Sequence, residues 1–456
     1  MSPRSLYDPS GALTRDEAES LAKRTLAMSK AEQCRVSITN TARGNTRFAG
    51  NQVSTAGDDT DTVISVRSVF GKKAASASTN KLDDASLKAI VEVSEKLAQL
   101  SPEDPELMPE LGPQQYLNVE GWAATTANLD PAGRAAAVRK VATPSLSAGL
   151  VSTGYIESDA NVAAIATSAG LFAYGRQTVA AMTTTVRTAD GRGSGWAGAS
   201  HSDWSKIDPA LLGERAIDKA KRSSDPVAVE PGRYTVVLEP TAVGNLVQLL
   251  GFAMNARNAD EGRSFFTKPG GGNKIGLKVV DERVSIFSDP ADPEAYAYPF
   301  APDGYATVRT PWIENGVVKH LAYDRYWAQK QGKEPTPLIR SLHMSGGRGS
   351  TEDLIANVER GILVTRFWYI RPVDPRTILY TGLTRDGTFL IENGKITRAV
   401  KNLRFNESPV FMLNNLEAMG TSVRVSASED GGPGFAIVVP PIVAHDFNFT
   451  SLSDAI

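Results

Sequence analysis

The sequence predicts an α+β protein, in which an N-terminal region of helices and antiparallel strands precedes a β-rich C-terminal domain. Three observations support this fold class: a capping box at the start of the first helix, β-rich runs directly after it, and two Asn-Gly turns in the second half of the chain. The chain has 456 residues, of which 41% are hydrophobic, so it can bury a large core and divide into two or three domains.

Residues 1–113 are predicted to form the N-terminal region. Thr14 followed by Glu17 makes the capping box, and apolar residues at helical spacing continue from it to Leu26. The elements expected after this helix are strands over 34–39, 47–53 and 62–70 and a second helix over 83–100. Four prolines in the thirteen residues 101–113 indicate a linker, so we expect a domain boundary there.

Residues 114–225 are predicted to form a middle region with an antiparallel meander, and residues 226–456 a β-rich C-terminal domain. The chain between them, Ser223-Ser-Asp-Pro-Val227, has the composition of a boundary segment. The elements expected in order are a helix over 131–141, the meander over 146–204, a helix over 209–221, a buried strand over 234–240 and a helix over 241–258.

The composition disfavours two classes of partner. Lys and Arg number 49 and Asp and Glu 51, a net charge of −2, so no overall charge attracts nucleic acid. The first residues lack the apolar core of a signal peptide, and the longest late apolar run is broken by Pro440-Pro441, so no membrane association is expected. With a single cysteine, which suits a reducing compartment, the chain is expected to be cytoplasmic.

Three further features have both a functional and a structural interpretation. Cys34 lies in a strand pattern without a basic neighbour, which favours a buried apolar role over a nucleophile. The loop 345–350 is rich in glycine, but no lysine follows it as in a phosphate-binding loop, so a flexible loop is favoured. The four histidines are at least 23 residues apart, which excludes a local pair; a metal site formed by His320 and His343 meeting in space is the alternative.

The most specific motif is a repeated phrase that predicts two hairpins with type I′ turns. It occurs as Trp312-Ile-Glu-Asn-Gly-Val317, followed by Leu321-Ala-Tyr-Asp-Arg325, and as Leu390-Ile-Glu-Asn-Gly-Lys395, which runs on to Val400. Together with Val237-Leu-Glu-Pro240-x-x-x-Gly244 and the early hairpin over 46–53, these phrases resemble the TldD/PmbA family, a peptidase family also classed as U62. Their order and spacing look like its PmbA/TldE branch, which lacks zinc ligands.

The resemblance implies that this chain has no zinc site. The TldD branch carries H-E-x-x-x-H four residues after the glycine that matches Gly244, and two imidazoles with a carboxylate can hold zinc and take a proton from its water. The matching residues here are Gln248, Leu249 and Ala253, and the late cysteine ligand of that branch has no counterpart. The resemblance thus implies no catalytic residue, metal ligand or cofactor in this chain, with zinc expected in a TldD-like partner.

Six residues are candidates for a peptide-binding cleft. Asn255, Arg257 and Arg263 follow the predicted helix, which could keep its place in the cleft after losing its metal; an ordinary polar helix end is the alternative. The stretch 338–385 contains seven arginines, which could bind a peptide carboxylate or form a solvated face. The candidates in and near this stretch are Arg340, His343 and Arg348.

The function that the resemblance implies is that of a zinc-free subunit. Its partners would be a TldD-like metallopeptidase subunit and the small or unfolded peptides that the complex cleaves. Two alternatives remain open: a self-sufficient, metal-independent peptide hydrolase, and a regulator of DNA gyrase without peptidase activity. The sequence also leaves open whether the chain forms a homodimer when it is alone.

Overall fold

The computed structural model describes residues 12–338, 341–426 and 436–453. It confirms the α+β class, because long antiparallel strands and packed helices alternate through the first half of the chain. The elements of this half are α1 (Arg15–Leu26), β1 (Gln33–Ala49), β2 (Gln52–Phe70), β3 (Lys73–Thr79), α2 (Asp84–Leu100), α3 (Ala124–Ala127), α4 (Pro131–Ser147), β4 (Val151–Thr167), β5 (Phe172–Arg187), β6 (Ser194–His201) and α5 (Pro209–Arg222).

The six strands of this half form one antiparallel sheet in the order β3-β2-β1-β4-β5-β6. Residues two apart along a strand share a face, so Val36 and Ile38 of β1 pack with α1 and α2 on one side. On the other side, Ala173 of β5 packs with Phe300 of the C-terminal half. The sheet is therefore a middle layer between its own helices and the rest of the chain, and it includes strands from both sides of residue 113.

The helix ends in this half follow the sequence. Thr14 and Glu17 form the expected capping box of α1, and the Asp83 side chain accepts a hydrogen bond from the backbone of Ser86 at the start of α2. A single strand over 47–53 is wrong, because this stretch contains the turn at Gly50 and Asn51, both with positive φ, whereas the early hairpin expected over 46–53 is confirmed. The strands on either side of this turn, β1 and β2, continue through polar residues. They can do so because β1 pairs with both β2 and β4, which satisfies the hydrogen-bonding groups of the backbone.

Buried charges in this half have partners of opposite sign. The fully buried Arg134 of α4 bonds the Asp58 carboxylate at 2.7 Å, the Thr46 hydroxyl at 3.1 Å and the Leu129 carbonyl at 2.8 Å. These contacts use all three guanidinium nitrogens, so the charge of Arg134 is compensated within the fold.

Glu110 is the second such group, and it lies in the proline-rich segment 101–113. Its carboxylate is 2.7 Å from an Arg67 nitrogen and 3.5 Å from an Arg35 nitrogen. The segment has no helix or strand of its own, and this buried pairing fixes it against the first sheet.

The C-terminal half has shorter strands, arranged in two sheets. Its elements are β7 (Gly232–Leu238), α6 (Pro240–Ala253), α7 (Ala256–Asp260), β8 (Ile286–Ser288), β9 (Thr310–Glu314), β10 (Val317–Val318), α8 (Arg325–Gln331), β11 (Ser341–Met344), α9 (Thr351–Ala356), β12 (Arg360–Val364), β13 (Phe367–Asp374), β14 (Leu379–Thr384), β15 (Thr388–Glu392), β16 (Lys395–Ala399), β17 (Leu403–Glu407), α10 (Pro409–Asn414), β18 (Leu416–Met419), β19 (Val423–Val425), β20 (Ala436–Val439) and β21 (Ile442–Leu452).

One sheet of this half has the order β10-β9-β8-β11-β20-β19, and the other has the order β13-β14-β17-β21-β7-β12-β15-β16, with β18 also paired to β21. The largest hydrophobic core lies between them and contains α6. Both predicted hairpins are confirmed, because Asn315, Gly316, Asn393 and Gly394 all have positive φ, as type I′ turns require. None of the described helices is long and apolar enough to cross a membrane.

The expected helix over 241–258 is two helices, which is a correction. The longer one, α6, ends at Ala253, and α7 begins at Ala256. The Asn255 side chain caps α7 by accepting a hydrogen bond from the backbone of Asn258 at 2.9 Å, while the amide of Ala256 bonds the carbonyl of Ala322. An asparagine at this position favours a new helix start over continuation, which is why the helical pattern breaks here.

Candidate functional site

Helix α6 follows the central strand β7 and starts with Pro240 in its first turn, a position where proline needs no hydrogen-bond donor. Its buried face is made of Val243, Leu246 and Leu250, all in the core between the two sheets. A side chain at Gly251 would put its Cβ 2.6 Å from Leu342, so the helix lies tightly against β11. The fold therefore fixes the position and rotation of α6.

The residues that match the family's zinc motif lie on the flank of this helix. Gln248, Leu249 and Ala253 are half-buried, and Leu249 and Ala253 pack against the core. An amide and two apolar side chains provide no imidazole or carboxylate for zinc, so these residues do not fit the metal. In the ranges that the structure describes, no three His, Cys, Asp or Glu side chains are grouped as a metal site would need.

The cleft candidates after α6 are already engaged with acidic side chains. Arg257 forms a bidentate pair with Glu106 at 2.7 and 2.8 Å and a third contact with Glu261 at 3.1 Å, and its guanidinium lies over the Trp327 ring. These hydrogen bonds raise the pKa of Arg257, and Arg257 lowers the pKa of Glu106. Arg263 also bonds Glu261. A peptide carboxylate at Arg257 would compete with Glu106, which comes from the proline-rich segment.

The other three cleft candidates have different surroundings. The His343 ring donates its Nδ1–H to the Asp292 carboxylate at 2.7 Å and stacks on Phe287, with ring centroids 4.7 Å apart. Arg348 is exposed in the glycine-rich loop before α9. Arg340 lies outside the described residues. The cleft role of all six candidates stays a prediction.

Two other arginines of the rich stretch have a clear structural role. Arg366 lies between the rings of Trp196 and Trp368, with its guanidinium carbon 4.6 and 4.9 Å from their centroids. Arg385 contacts the same Trp368 ring, and both arginines are within 4 Å of the Asp386 carboxylate. Because Trp196 belongs to β6, this cluster joins the first sheet to the C-terminal half and does not form an open arginine surface.

A charged cavity of about 590 Å³ lies beside this junction. It extends from α5 to the N-terminal ends of α6 and α9, and its charged groups include the pairs Lys219–Glu239 at 2.7 Å and Arg222–Asp218 at 3.0 Å. The residues that match the zinc motif are not part of its lining. From Thr241 at its edge to Gln248 the helix rises about 10 Å.

The described histidines and the cysteine have separate environments. The nearest polar partners are the backbone amide of Asp203 for His201, the carbonyl of Pro311 for His320, Asp292 for His343 and Glu417 for His445. The alternative of a joint His320–His343 metal site has no support from these contacts. Cys34 is buried in the first sheet, and burial raises the pKa of its thiol to about 11, as expected for an unreactive apolar position.

The sequence reasoning missed a buried carboxyl group that borders a second cleft. Glu407, at the end of β17, is 3% exposed and lines a cleft of about 590 Å³. Burial raises the pKa of Glu407 to about 7, against hydrogen bonds from the backbone amides of Ser408 and Asn448 that lower it. The alternation Leu403, Phe405, Glu407 puts this carboxyl in phase with buried apolar residues, a signal that was present in the sequence.

The architecture is that of a metallopeptidase family with three parts. Models of its first domain match residues 34–98, of its central domain residues 124–224, and of its C-terminal domain residues 231–451, each described as PmbA/TldA metallopeptidase. This chain therefore belongs to the PmbA/TldD family, which confirms the resemblance seen in the motifs. The match to the C-terminal domain includes α6 and both Asn-Gly hairpins.

Curated relatives are similar over part of their length. A protein named metalloprotease from Methanothermobacter thermautotrophicus is 26% identical over 246 residues, covering 50% of this chain and 52% of that protein. A zinc metalloprotease TldD homolog from Saccharolobus solfataricus is 23% identical over 242 residues, covering 48% and 50%. The aligned part of this chain thus spans about half the length of these relatives.

Solved structures match almost the whole fold. TldE from Thermococcus kodakarensis superposes with a TM-score of 0.83 at 17% identity, covering 95% of this chain and 99% of that one. A proposed modulator of DNA gyrase from Bacteroides thetaiotaomicron has a TM-score of 0.83 at 21% identity, covering 97% and 100%. At these identities the likeness establishes a TldE-like fold.

Proposed function

We propose that this chain is a zinc-free, PmbA/TldE-like subunit of a cytoplasmic TldD-type metallopeptidase that degrades small or unfolded peptides. The observation that carries the proposal is the chemistry of α6, where Gln248, Leu249 and Ala253 occupy the positions of the family's two histidines and glutamate. Since none of these side chains can bind zinc or act as a general base, the hydrolytic step belongs to a TldD-like partner.

The role left to this chain is to bind the partner and to shape the space in which peptides are held. The tight packing of α6 against β11 supports this role, because apolar contacts alone fix the position of the helix. The charged cavity next to α5 and the arginine-rich stretch are surfaces on which a peptide's charged ends could be held.

Reconstitution tests the proposal directly. The purified chain should contain no stoichiometric zinc by elemental analysis and should not hydrolyse peptides. Activity should appear when a TldD-like subunit is added, and a chelator should abolish it. About one zinc per chain, lost on mutation of His320 or His343, would contradict the proposal, as would full hydrolysis by the isolated chain in the presence of chelator.

A charge reversal in the arginine-rich stretch tests peptide capture in the reconstituted complex. The double variant Arg340→Glu, Arg348→Glu should raise KM for peptides with a free carboxyl terminus, because a charge-assisted contact is replaced by repulsion. Arg360→Glu is the matched control, since Arg360 is an exposed arginine of the same stretch. Unchanged KM for free and blocked peptides would exclude this capture role and leave the subunit proposal intact.

The two alternatives give different results in the same preparation. A self-sufficient hydrolase would cleave peptides without a partner, with His343 as the base that its contact with Asp292 orients. A gyrase regulator, the role suggested by the description of the Bacteroides thetaiotaomicron structure, would bind DNA or the topoisomerase. DNA binding that weakens steeply with salt would support the second alternative.

A further inference from the structure

The buried carboxyl of Glu407 is the feature that the proposed function leaves unexplained. Its two oxygens accept hydrogen bonds from the backbone amides of Ser408 at 2.7 Å and Asn448 at 3.0 Å. Within the described ranges, no Lys, Arg or His nitrogen lies within 4 Å of this carboxyl. A buried carboxylate without a cation is costly, unless a ligand supplies one.

Arg233 lines the same cleft, and one strand of the sheet separates it from Glu407. Arg233 belongs to β7, and β21 separates β7 from β17 in the sheet. Asn448 of β21 is paired with Arg233, and its backbone amide donates to the Glu407 carboxylate, so this strand connects the two charged residues. Two strand spacings put the backbones of Arg233 and Glu407 about 10 Å apart.

The wall of the cleft between these two charges is mainly apolar. It includes the side chains of Phe265, Leu379, Val410 and Phe411. The amide side chains of Asn406 and Asn414 add hydrogen-bonding groups at the edge. A volume of about 590 Å³ is in the range of small-molecule sites, and a fully extended dipeptide is about 7 Å long.

We propose that this cleft binds a short peptide with free termini, with its ammonium group on Glu407, its carboxylate on Arg233 and an apolar side chain against the phenylalanines. Each charge of the ligand then meets an opposite charge of the protein, and the buried carboxylate gains a cation in direct contact, which none of the described residues provides. The arrangement assigns the site to peptides of about two residues, because the two-strand separation of Glu407 and Arg233 is too short for a long extended chain.

The pH dependence of binding follows from the groups at the site. Since burial raises the pKa of Glu407 to about 7, its carboxylate forms mainly above that pH. A peptide α-ammonium loses its proton near pH 8, so binding should be strongest between about pH 7 and 8. The other ionisable groups near the cleft are Arg233 on β7, Tyr380 opposite Glu407 on β14 and Lys274 over the Phe265 ring; burial raises the pKa of Tyr380 and lowers the pKa of Lys274.

Calorimetric titration of the isolated chain with Leu-Leu tests the proposal, and it requires no partner subunit. At pH 7.5 we expect saturable binding that weakens about tenfold or more for N-acetyl-Leu-Leu and less for the carboxamide, since a buried charge-assisted contact is stronger than an exposed one. Binding of Leu-Leu should also weaken at pH 5.5. Failure of reconstitution with a TldD-like subunit would not affect this result.

Variants sharpen the test. Glu407→Gln should weaken Leu-Leu binding about tenfold and leave the affinity for N-acetyl-Leu-Leu unchanged. Arg233→Gln should also weaken Leu-Leu binding and should leave the affinity for the carboxamide unchanged. Arg404→Gln is the control, because Arg404 lies on the same strand outside the cleft. If Glu407→Gln does not fold, the affinities of the parent chain for the peptide analogues, and their dependence on pH, test the proposal instead. Equal affinity for Leu-Leu and its acetylated form, or no saturation up to about 10 mM, overturns the proposal.

Discussion

Buried charges in the first sheet and at the end of β17 in the C-terminal half are compensated differently. In the first sheet, Arg134 and Glu110 are buried with partners of opposite sign, Asp58 for the first and Arg67 with Arg35 for the second. In the C-terminal half, Glu407 is buried among backbone donors and faces a cleft. The comparison teaches that a buried charge compensated by the fold serves stability, whereas one left open to a cleft is available to a ligand.

The largest expected effect is at the compensated charge. Arg134→Met should lower the free energy of unfolding by about 3–5 kcal/mol, because it leaves Asp58, Thr46 and the Leu129 carbonyl without their shared donor. Denaturant unfolding measures the loss. Arg139→Met, an exposed arginine on the same helix, is the control and should change stability by less than about 0.5 kcal/mol. Similar values for both variants would show that the buried contacts of Arg134 do not stabilise the fold.

The next largest effect concerns the uncompensated charge and depends on pH. The folded-state pKa of Glu407 is raised from 4.5 to about 7, so its contribution to stability is complete below pH 4.5 and is lost as the pH rises to about 7. Glu407→Gln should abolish this loss, which amounts to roughly 3 kcal/mol. Unfolding curves of parent and variant at pH 5 and pH 8 measure it. A constant difference between them at both values would show that Glu407 titrates normally.

The smallest effect compares a hairpin of each half. Gly50 has φ +59°, and a Cβ added there would have no other atom within 4 Å, whereas at Gly316, φ +76°, a Cβ would lie 2.4 Å from the Val280 carbonyl. Gly50→Val should cost about 1–2 kcal/mol from backbone strain alone, and Gly316→Val should cost roughly 1 kcal/mol more, because the side chain also has no room. Thermal midpoints give the order; equal shifts would mean that the second hairpin relaxes.

Local signals in the sequence predicted the elements that depend on neighbouring residues. The capping box at Thr14 and the turns at Asn315 and Asn393 need only a few adjacent residues, and the structure confirms them. The lengths of β1 and β2 could not be predicted in the same way. Their middle sections contain buried polar residues such as Asn40, whose side chain bonds Thr62 on β2 and whose backbone position is paired with Val162 of β4, distant in sequence.

The candidate site was predicted less well, for a related reason. The positions of Gln248, Leu249 and Ala253 on α6 followed from the helical pattern, but the pairing of Arg257 with Glu106 joins residues 151 positions apart. Glu407 had a local signal, the alternation with Leu403 and Phe405, which a search for metal ligands and arginine clusters does not use. A carboxyl in phase with buried apolar residues is therefore worth testing as a site from sequence alone.

The position of β21 in its sheet has a consequence for the order in which the chain folds. This strand, Ile442–Leu452, lies between β17 and β7, and its pairing with β7 joins residues more than 200 positions apart. A ribosome adds about 5–20 residues per second, so β21 is synthesised on the order of 10 seconds or more after β7 and the helix α6 that follows it. During this interval the apolar edge of β7 is open to other chains, and the C-terminal half should be the part that needs a chaperone during synthesis.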